Sequence, residues 1–198
     1  MKATILCCCY VIAVWVLGSA ASLGAGEPTE QIRSAINQGV EILNRSKLDS
    51  KPERAKVISR LREIVYPLFD FDEMAKRSLG THWRRLDSRQ QKEFVIVFTD
   101  LLEKTYADRI DLYDEQKVVY TGETLDNSFA EVQTRIVGKN GESYAIVYRL
   151  HRVGGKWKIY DVLAENISVV SNYRSQFQRV LANSSFEELI ARMKEKAG

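Results

Sequence analysis

The hydrophobic pattern of this chain changes period twice, and that change constrains the fold more than any other feature. Apolar residues recur at helical spacing up to about residue 113, alternate at period two between Gln116 and Ile159, and return to helical spacing after Ser168. Helices, then short strands, then helices are typical of an α+β domain. We therefore predict a twisted antiparallel sheet of about four strands, covered by one long helix and by flanking N- and C-terminal helices, a layout that permits an apolar cavity.

Four helices are predicted before the strands from the residues at their boundaries. A proline favours the first helical turn, Asp and Ser cap an N-terminus, and glycine often ends a helix. Asp70 and Glu73, for example, have the spacing of a capping box, and Gly80 stops the short helix that they open. The four predicted helices span about 28–44, 51–66, 71–79 and 89–113.

The longest of these helices is unusual in its first half. Residues 94–98, Phe-Val-Ile-Val-Phe, are apolar on every side of the helix, so each side is expected to be buried or to contact a ligand. In the second half the apolar residues narrow to one face, marked by Leu102, Tyr106, Ile110 and Tyr113.

Turn residues separate the predicted strands. Asn140-Gly141 is a strong hairpin signal, and Gly154-Gly155 provides a second turn. Because the connections are short, the strands are predicted to form an antiparallel meander. The strands are predicted at 116–120, 130–136, 144–150 and 157–159, and two more helices follow, one at 169–181 and one after residue 185.

The first residues have the pattern of a secretory signal peptide. Lys2 is followed by an apolar run of thirteen residues, Ile5–Leu17, and by small residues among which we place cleavage after Ala21. Thirteen residues are too few to span a bilayer, which takes about 20. We therefore expect residues 1–21 to be removed on export and residues 22–198 to form a single domain; the alternative is an uncleaved membrane anchor.

Composition excludes several kinds of function. The three cysteines, Cys7, Cys8 and Cys9, all lie in the apolar run, so the mature chain would have no disulfide, thiolate metal site or cysteine nucleophile. The 29 basic and 26 acidic residues are interspersed, and no basic tract would follow a nucleic-acid backbone. We expect no nucleic-acid partner.

Few residues have a pattern that predicts metal binding or catalysis. His82 and His151 each lack a second ligand at metal-binding spacing, so no metal site is predicted. Asp70 and Asp72 could form an acid–base pair, but a helix cap and a first-turn acid are the simpler interpretation. The sequence contains no glycine-rich phosphate loop and no serine elbow.

Asp161 is the carboxylate that keeps an enzymatic alternative open. Strand alternation would point it to the same side as Trp157 and Ile159. In some cone-shaped α+β isomerases, a carboxylate on an apolar concave sheet serves as the catalytic base. The other interpretation is a carboxylate satisfied by a nearby Arg, Tyr or backbone amide at the end of the strand.

Six segments follow one another in a distinctive order: Phe69–Ala75, Leu79–Arg84, Ser88–Phe94, Leu101–Tyr106, Trp157–Val162 and Ile167–Arg174. This ordered set resembles the MlaC family, the periplasmic phospholipid-binding component of a lipid transport system, also described as toluene-tolerance or ABC-transporter auxiliary proteins. The resemblance covers nearly all of the region after the predicted signal peptide. Asn166 stands where the family often has glycine, and asparagine tolerates the left-handed conformation better than most residues.

The resemblance implies a phospholipid carrier without catalysis. A sheet and helices would clasp the acyl chains, with the headgroup near solvent, and the phospholipid would be the carried ligand, with no cofactor. The partners would be an inner-membrane ABC lipid transporter complex and an outer-membrane lipoprotein–porin complex. A monomer in the periplasm would shuttle lipid between them and maintain the lipid asymmetry of the outer membrane.

We expect the cavity wall to come from the long helix and from the sheet beneath it. Each residue there could instead belong to a plain core. Two other functions stay open, a small enzyme that uses Asp161 and an apolar-ligand sensor or assembly factor. The predicted lining residues are Phe98, Leu101, Leu102 and Tyr106 from the helix, Ile146, Tyr148, Trp157 and Ile159 from the strands, and Val169 and Tyr173 at one end.

Overall fold

The structure, a computed structural model, describes residues 26–46, 50–107 and 116–198. The predicted signal peptide at residues 1–21 lies outside the described residues, as do residues 108–113 of the predicted long helix. The helices described are α1 (Glu27–Arg45), α2 (Lys51–Val65), α3 (Phe71–Leu79), α4 (Ser88–Ala107), α5 (Val169–Leu181) and α6 (Phe186–Ala197). Two 3₁₀ segments, Tyr66–Leu68 and Gly80–Arg85, follow α2 and α3.

Capping side chains begin the helices where the sequence predicts them. Asp70 Oδ1 accepts a 2.9 Å hydrogen bond from the backbone N–H of Glu73, and Ser185 Oγ accepts one of 3.2 Å from Glu188. Both bonds satisfy a backbone donor that the first turn of a helix leaves unpaired. None of the helices in the described ranges combines the length and the apolar composition needed to cross a membrane.

The strands form one antiparallel sheet in chain order, which confirms the predicted α+β fold. They are β1 (Lys117–Asp126), β2 (Phe129–Val137), β3 (Ser143–Val153), β4 (Lys156–Ala164) and β5 (Ile167–Ser168). The sheet has one strand more than predicted, because the two residues of β5 pair back onto β4. Asn166 in the intervening turn has a φ of 64°, the left-handed conformation that an asparagine tolerates.

A β-bulge at Tyr160 changes the side of the sheet that the second half of β4 faces. Leu150 on β3 pairs with Ile159, but the preceding residue, Arg149, pairs with Asp161, so Tyr160 is the extra residue. Paired residues lie on the same face, and Asp161 therefore shares the face of Arg149, opposite to that of Ile159. The prediction that Asp161 points to the same side as Ile159 is wrong for this reason.

Two hydrophobic cores hold these elements together. One lies among helices α3 to α6 and includes the fully buried rings of Phe94 and Phe98. The other joins α1 to one end of the sheet, where Ile32 packs with Leu150 and Ile159. The long helix α4 packs against α3, α5 and α6. The sequence predicts that α4 covers the sheet directly, but the helix makes few close backbone contacts with the strands. The part of this sheet face that α1 does not cover is therefore separated from α4 by a space.

Candidate functional site

That space is an apolar cavity of about 350 Å³ between α4, the sheet and the segment from the end of α2 to α3. Most of its lining is apolar. Val65 and Tyr106 lie on its rim and are 38% and 48% exposed, so the cavity is open to solvent on this side. An apolar cavity with a few polar groups at its edge is the usual form of a small-molecule site.

The α4 wall is one stripe of the helix. Thr99, Leu102, Glu103 and Tyr106 line the cavity. They stand at positions i, i+3, i+4 and i+7, which lie on one side of an α-helix. The helix therefore buries its other stripe in the helical core and leaves this one for the cavity.

The sheet wall consists of a row of paired residues on β2, β3 and β4. Ile146 pairs with Ala164, and Tyr148 pairs with Val162, so each pair points to the cavity. The bulge in β4 is what brings Val162 and Ala164 onto this face. Burial raises the pKa of Tyr148 to about 12, so its hydroxyl stays neutral beside the apolar lining at physiological pH.

The third wall is the segment between α2 and α3. The rings of Phe69 and Phe71 stack with their centroids 5.6 Å apart, and both line the cavity. Asp70 between them fixes their position. Its N–H donates a 2.9 Å hydrogen bond to the carbonyl of Ile159, and its Oδ2 lies 2.9 Å from Nε2 of His151. The same carboxylate caps α3, so one residue ties the wall both to the helix and to the sheet.

Glu103 supplies a carboxylate to the cavity lining. It accepts hydrogen bonds from the hydroxyl of Tyr66 and from the guanidinium of Arg62. Burial, and then this hydrogen bond, raises the pKa of Tyr66 above its ordinary value. The hydrogen bond to Glu103 likewise raises the pKa of Arg62, so its guanidinium stays charged. The carboxylate is therefore neutralised at the edge of an apolar space.

Half of the predicted lining residues lie on this cavity. The five are Leu102, Tyr106, Ile146, Tyr148 and Val169. They come from three separate elements, α4, the sheet and the start of α5, which the fold brings together around one space.

Phe98, Leu101 and Tyr173 lie instead in the helical core or at its edge. Phe98 is fully buried, and its ring meets that of Tyr173 edge-on at 5.2 Å. Leu101 is 4% exposed and faces the α5–α6 side of α4. One residue along a helix rotates a side chain by about 100°, which separates Leu101 from the cavity residue Leu102.

Trp157 and Ile159 also lie outside the cavity lining. They are on the same sheet face but closer to α1, which covers them. Gln31 of α1 donates a 2.9 Å hydrogen bond to the carbonyl of Trp157, and the indole N–H of Trp157 donates one of 3.2 Å to Glu27. The first helix therefore fills the half of the face that these two residues occupy.

The sequence prediction missed all of the third wall and part of the sheet. Thr99 and Glu103 could have been found from Leu102 and Tyr106 by helical spacing alone. Ile136 could have been found by strand alternation from Val132 and Thr134. The others depend on the bulge and on how the irregular segment after α2 lies against the sheet. The missed lining residues are Val65, Tyr66, Phe69, Phe71, Met74, Thr99, Glu103, Ile136, Val162 and Ala164.

Asp161 is a satisfied carboxylate, the second of the two interpretations. It is 4% exposed, and its Oδ1 accepts hydrogen bonds from the N–H groups of Val162 at 2.9 Å and Val170 at 3.1 Å. Its Oδ2 accepts a 2.6 Å hydrogen bond from the hydroxyl of Ser168. These contacts hold the start of α5 against β4.

The two histidines occupy separate structural positions. His151 pairs with Asp70, whereas His82 lies in the 3₁₀ segment after α3. Within the parts of the chain that the structure describes, no group of three His, Cys, Asp or Glu side chains could hold a metal ion.

Known proteins share both the sequence pattern and the fold. A family model described as MlaC protein matches residues 33–195. The intermembrane phospholipid transport system binding protein MlaC of Haemophilus influenzae is 25% identical over 159 residues, which cover 78% of this chain and 73% of that protein. The toluene tolerance protein ttg2D of Pseudomonas putida is 24% identical over 158 residues, covering 79% and 74% of the two chains.

A solved structure supports the same fold. The phospholipid-binding protein from Ralstonia solanacearum, determined at 1.53 Å in complex with a phospholipid, has a TM-score of 0.73 and 20% sequence identity. The alignment covers 85% of this chain and 95% of that one. Together with the family match, which runs from α1 into α6, the likeness confirms the resemblance seen in the sequence. The chain belongs to the MlaC family.

Proposed function

We propose that this protein binds a phospholipid and carries it between membranes across the periplasm. Acyl hydrocarbon occupies the cavity between α4 and the sheet, and the headgroup stays at the exposed rim near Val65 and Tyr106. The observation that carries the proposal is the apolar cavity itself, found in a chain of the MlaC family. The phospholipid bound to the Ralstonia protein of the same fold supports it.

The size and chemistry of the cavity suit a hydrocarbon chain. Burying each methylene group contributes about 0.8 kcal/mol, so a lipid leaves a membrane for water very rarely. A cavity lined by groups such as Leu102, Ile146 and Phe71 replaces the membrane interior during the crossing. The carrier lowers the barrier to transfer without consuming energy, and a partner must therefore set the direction.

Two membrane complexes are the proposed partners. One is an inner-membrane ABC lipid transporter complex, and the other is an outer-membrane lipoprotein–porin complex. Exchange between them by a monomeric carrier exported through a cleaved signal peptide would maintain the lipid asymmetry of the outer membrane. The names of the Haemophilus and Pseudomonas relatives, a phospholipid transport system binding protein and a toluene tolerance protein, support this role.

The proposal assigns no catalysis to the chain. Asp161, the residue on which the enzymatic alternative depended, has its oxygens engaged by Ser168, Val162 and Val170. It also lies on the sheet face that does not line the cavity. These hydrogen bonds are sufficient to explain why the Asp161 carboxylate is buried, and no substrate is needed to explain it.

Native mass spectrometry of the protein purified from the periplasm of a Gram-negative host tests the proposal. We expect the mass of one phospholipid on each wild-type chain and its loss in Leu102→Asp, because an unpaired carboxylate in an apolar cavity costs several kcal/mol. The matched control is Leu125→Asp, on an exposed part of β1 (56% exposed), which should keep the lipid. A wild-type chain that never carries lipid, or a folded Leu102→Asp chain with a full load, would contradict the proposal.

A further inference from the structure

A second space lies directly beside the cavity. It is an open groove of about 920 Å³ that runs between α2 and α4 and reaches the end of α6. The groove and the cavity share four lining residues, Tyr66, Phe71, Thr99 and Glu103. The two spaces are therefore separated by single side chains and not by a layer of packed core.

The walls of the groove explain the apolar segment at residues 94–98. Phe94 and Phe98 enter the helical core, whereas Ile96 lines the groove. Val95 and Val97 do both, because they pack with the core and also line the groove. Ile96 is 61% exposed, and Ile58 lines the groove from α2. Apolar side chains thus extend from the cavity into the groove, and charged residues lie around them at the edge.

The partition between the two spaces is the contact of Glu103 with Tyr66 and Arg62. Glu103 is on α4, Tyr66 follows α2, and Arg62 is in the last turn of α2. The hydrogen bonds of the Glu103 carboxylate with both groups join the two sides of the groove. Helix α2 otherwise packs mainly on α1 and on the turn that follows it, so its separation from α4 would leave both cores intact.

The cavity alone is too small for a lipid with two chains. An apolar cavity of about 150 Å³ holds benzene, which corresponds to roughly 25 Å³ for each carbon atom. On that scale 350 Å³ holds roughly 14 carbon atoms, the hydrocarbon of one acyl chain. A second chain needs additional space, and the groove on the other side of Glu103 has it.

We propose that Glu103 determines how many acyl chains the protein holds. While Tyr66 and Arg62 are bound to it, the cavity accepts a single chain. When these bonds open, the cavity and the groove join, and both chains of a diacyl phospholipid are accommodated. This inference rests on the proposed lipid-carrier function and names the residue that sets its specificity.

A competition between one-chain and two-chain lipids tests this inference. Wild-type protein is freed of lipid by unfolding in guanidinium and is then refolded. It is offered equimolar lysophosphatidylethanolamine, which has one chain, and phosphatidylethanolamine, which has two. Native mass spectrometry then gives the ratio of the two bound forms. Glu103→Ala removes the partition, and Tyr66→Phe removes one of its two hydrogen bonds while keeping the ring. We expect the diacyl-to-lyso ratio to rise roughly tenfold or more in Glu103→Ala, because this variant breaks no charged hydrogen bond to admit the second chain. The rise should be smaller in Tyr66→Phe, because the bond between Arg62 and Glu103 must still open.

Glu131→Ala is the matched control, since Glu131 also pairs with an arginine, Arg149, but on the sheet face away from the cavity. The diacyl-to-lyso ratio of this variant should equal that of the wild type. Binding of both lipids at an unchanged ratio in Glu103→Ala would overturn the inference and leave the carrier function standing. Binding of neither lipid by the refolded wild-type chain would overturn the carrier function, and the inference with it.

Discussion

The hydroxyl of Ser168 donates a 2.6 Å hydrogen bond to the buried carboxylate of Asp161, across the turn that joins β4 to β5. The same carboxylate accepts the N–H of Val170 in the first turn of α5. A negative charge at a helix N-terminus is favoured by the helix dipole and by the unpaired N–H groups there. Asp161 therefore attaches the C-terminal helices to the sheet.

Replacing Asp161 is expected to lower stability and to leave function intact. Asp161→Asn keeps the shape but removes the charge from its hydrogen bonds, so the free energy of unfolding should fall by about 1–3 kcal/mol in urea titrations. Asp126→Asn, at the exposed end of β1, is the control and should have little effect. Unchanged stability of Asp161→Asn would refute this role.

Asp70 is expected to matter both for stability and for the cavity wall. Asp70→Ala removes the cap of α3 and the contact with His151, and should cost about 1–2 kcal/mol in the free energy of unfolding. The rings of Phe69 and Phe71 would then be held less firmly, so lipid should dissociate faster. Asp72→Ala, two residues later in the first turn of α3, is the control. A lipid dissociation rate equal to that of the wild type in Asp70→Ala would show that the wall does not depend on this carboxylate.

Filling the cavity should displace lipid without unfolding the chain. In Ile146→Trp the larger ring points from β3 into the cavity and should reduce the bound lipid, measured by extraction and phosphate analysis of the purified protein. Val147→Trp places the same ring on the opposite face of the same strand, because successive strand residues alternate. Lipid loss in both variants, or in neither, would disagree with the location of the cavity.

Tyr148 is expected to make the free energy of unfolding fall as the pH rises through the alkaline range. Its pKa is raised by burial to about 12 in the folded chain, against about 10 for an unfolded tyrosine. Between these values the unfolded chain releases a proton that the folded chain retains, so the free energy of unfolding falls as pH rises from about 10 to about 12. The contribution is up to about 3 kcal/mol. Urea titrations across this pH range should show a shallower decline in the free energy of unfolding for Tyr148→Phe than for the wild type. Equal slopes for the two proteins would contradict the role given to Tyr148.

Local sequence signals predicted most of the secondary structure because they act over a few residues. The caps at Asp70 and Ser185 bind the N–H groups that their spacing predicts. The Gly138–Gly141 hairpin forms as the Asn-Gly pair indicates. The turn after β4 survives the replacement of glycine by Asn166, since this residue adopts a positive φ.

The faces of α4 and β4 were harder to predict because they depend on tertiary packing. On α4 two apolar stripes lie side by side. Only the arrangement of α5 and α6 decides that Phe98 lies wholly in the core while Leu102, at the edge of the core, also lines the cavity. On β4 the bulge at Tyr160 reverses the alternation, so Val162 and not Asp161 faces the cavity. No residue at the bulge announces it in the sequence.

In the proposed function, acyl hydrocarbon occupies the cavity between α4 and the sheet. A crystal structure of the lipid-loaded protein measures this most directly. We expect continuous electron density for an acyl chain in contact with Leu102, Ile146 and Tyr148, with the headgroup at the rim beside Tyr106. Density for the whole lipid outside this cavity, with side chains filling the space beneath α4, would contradict it.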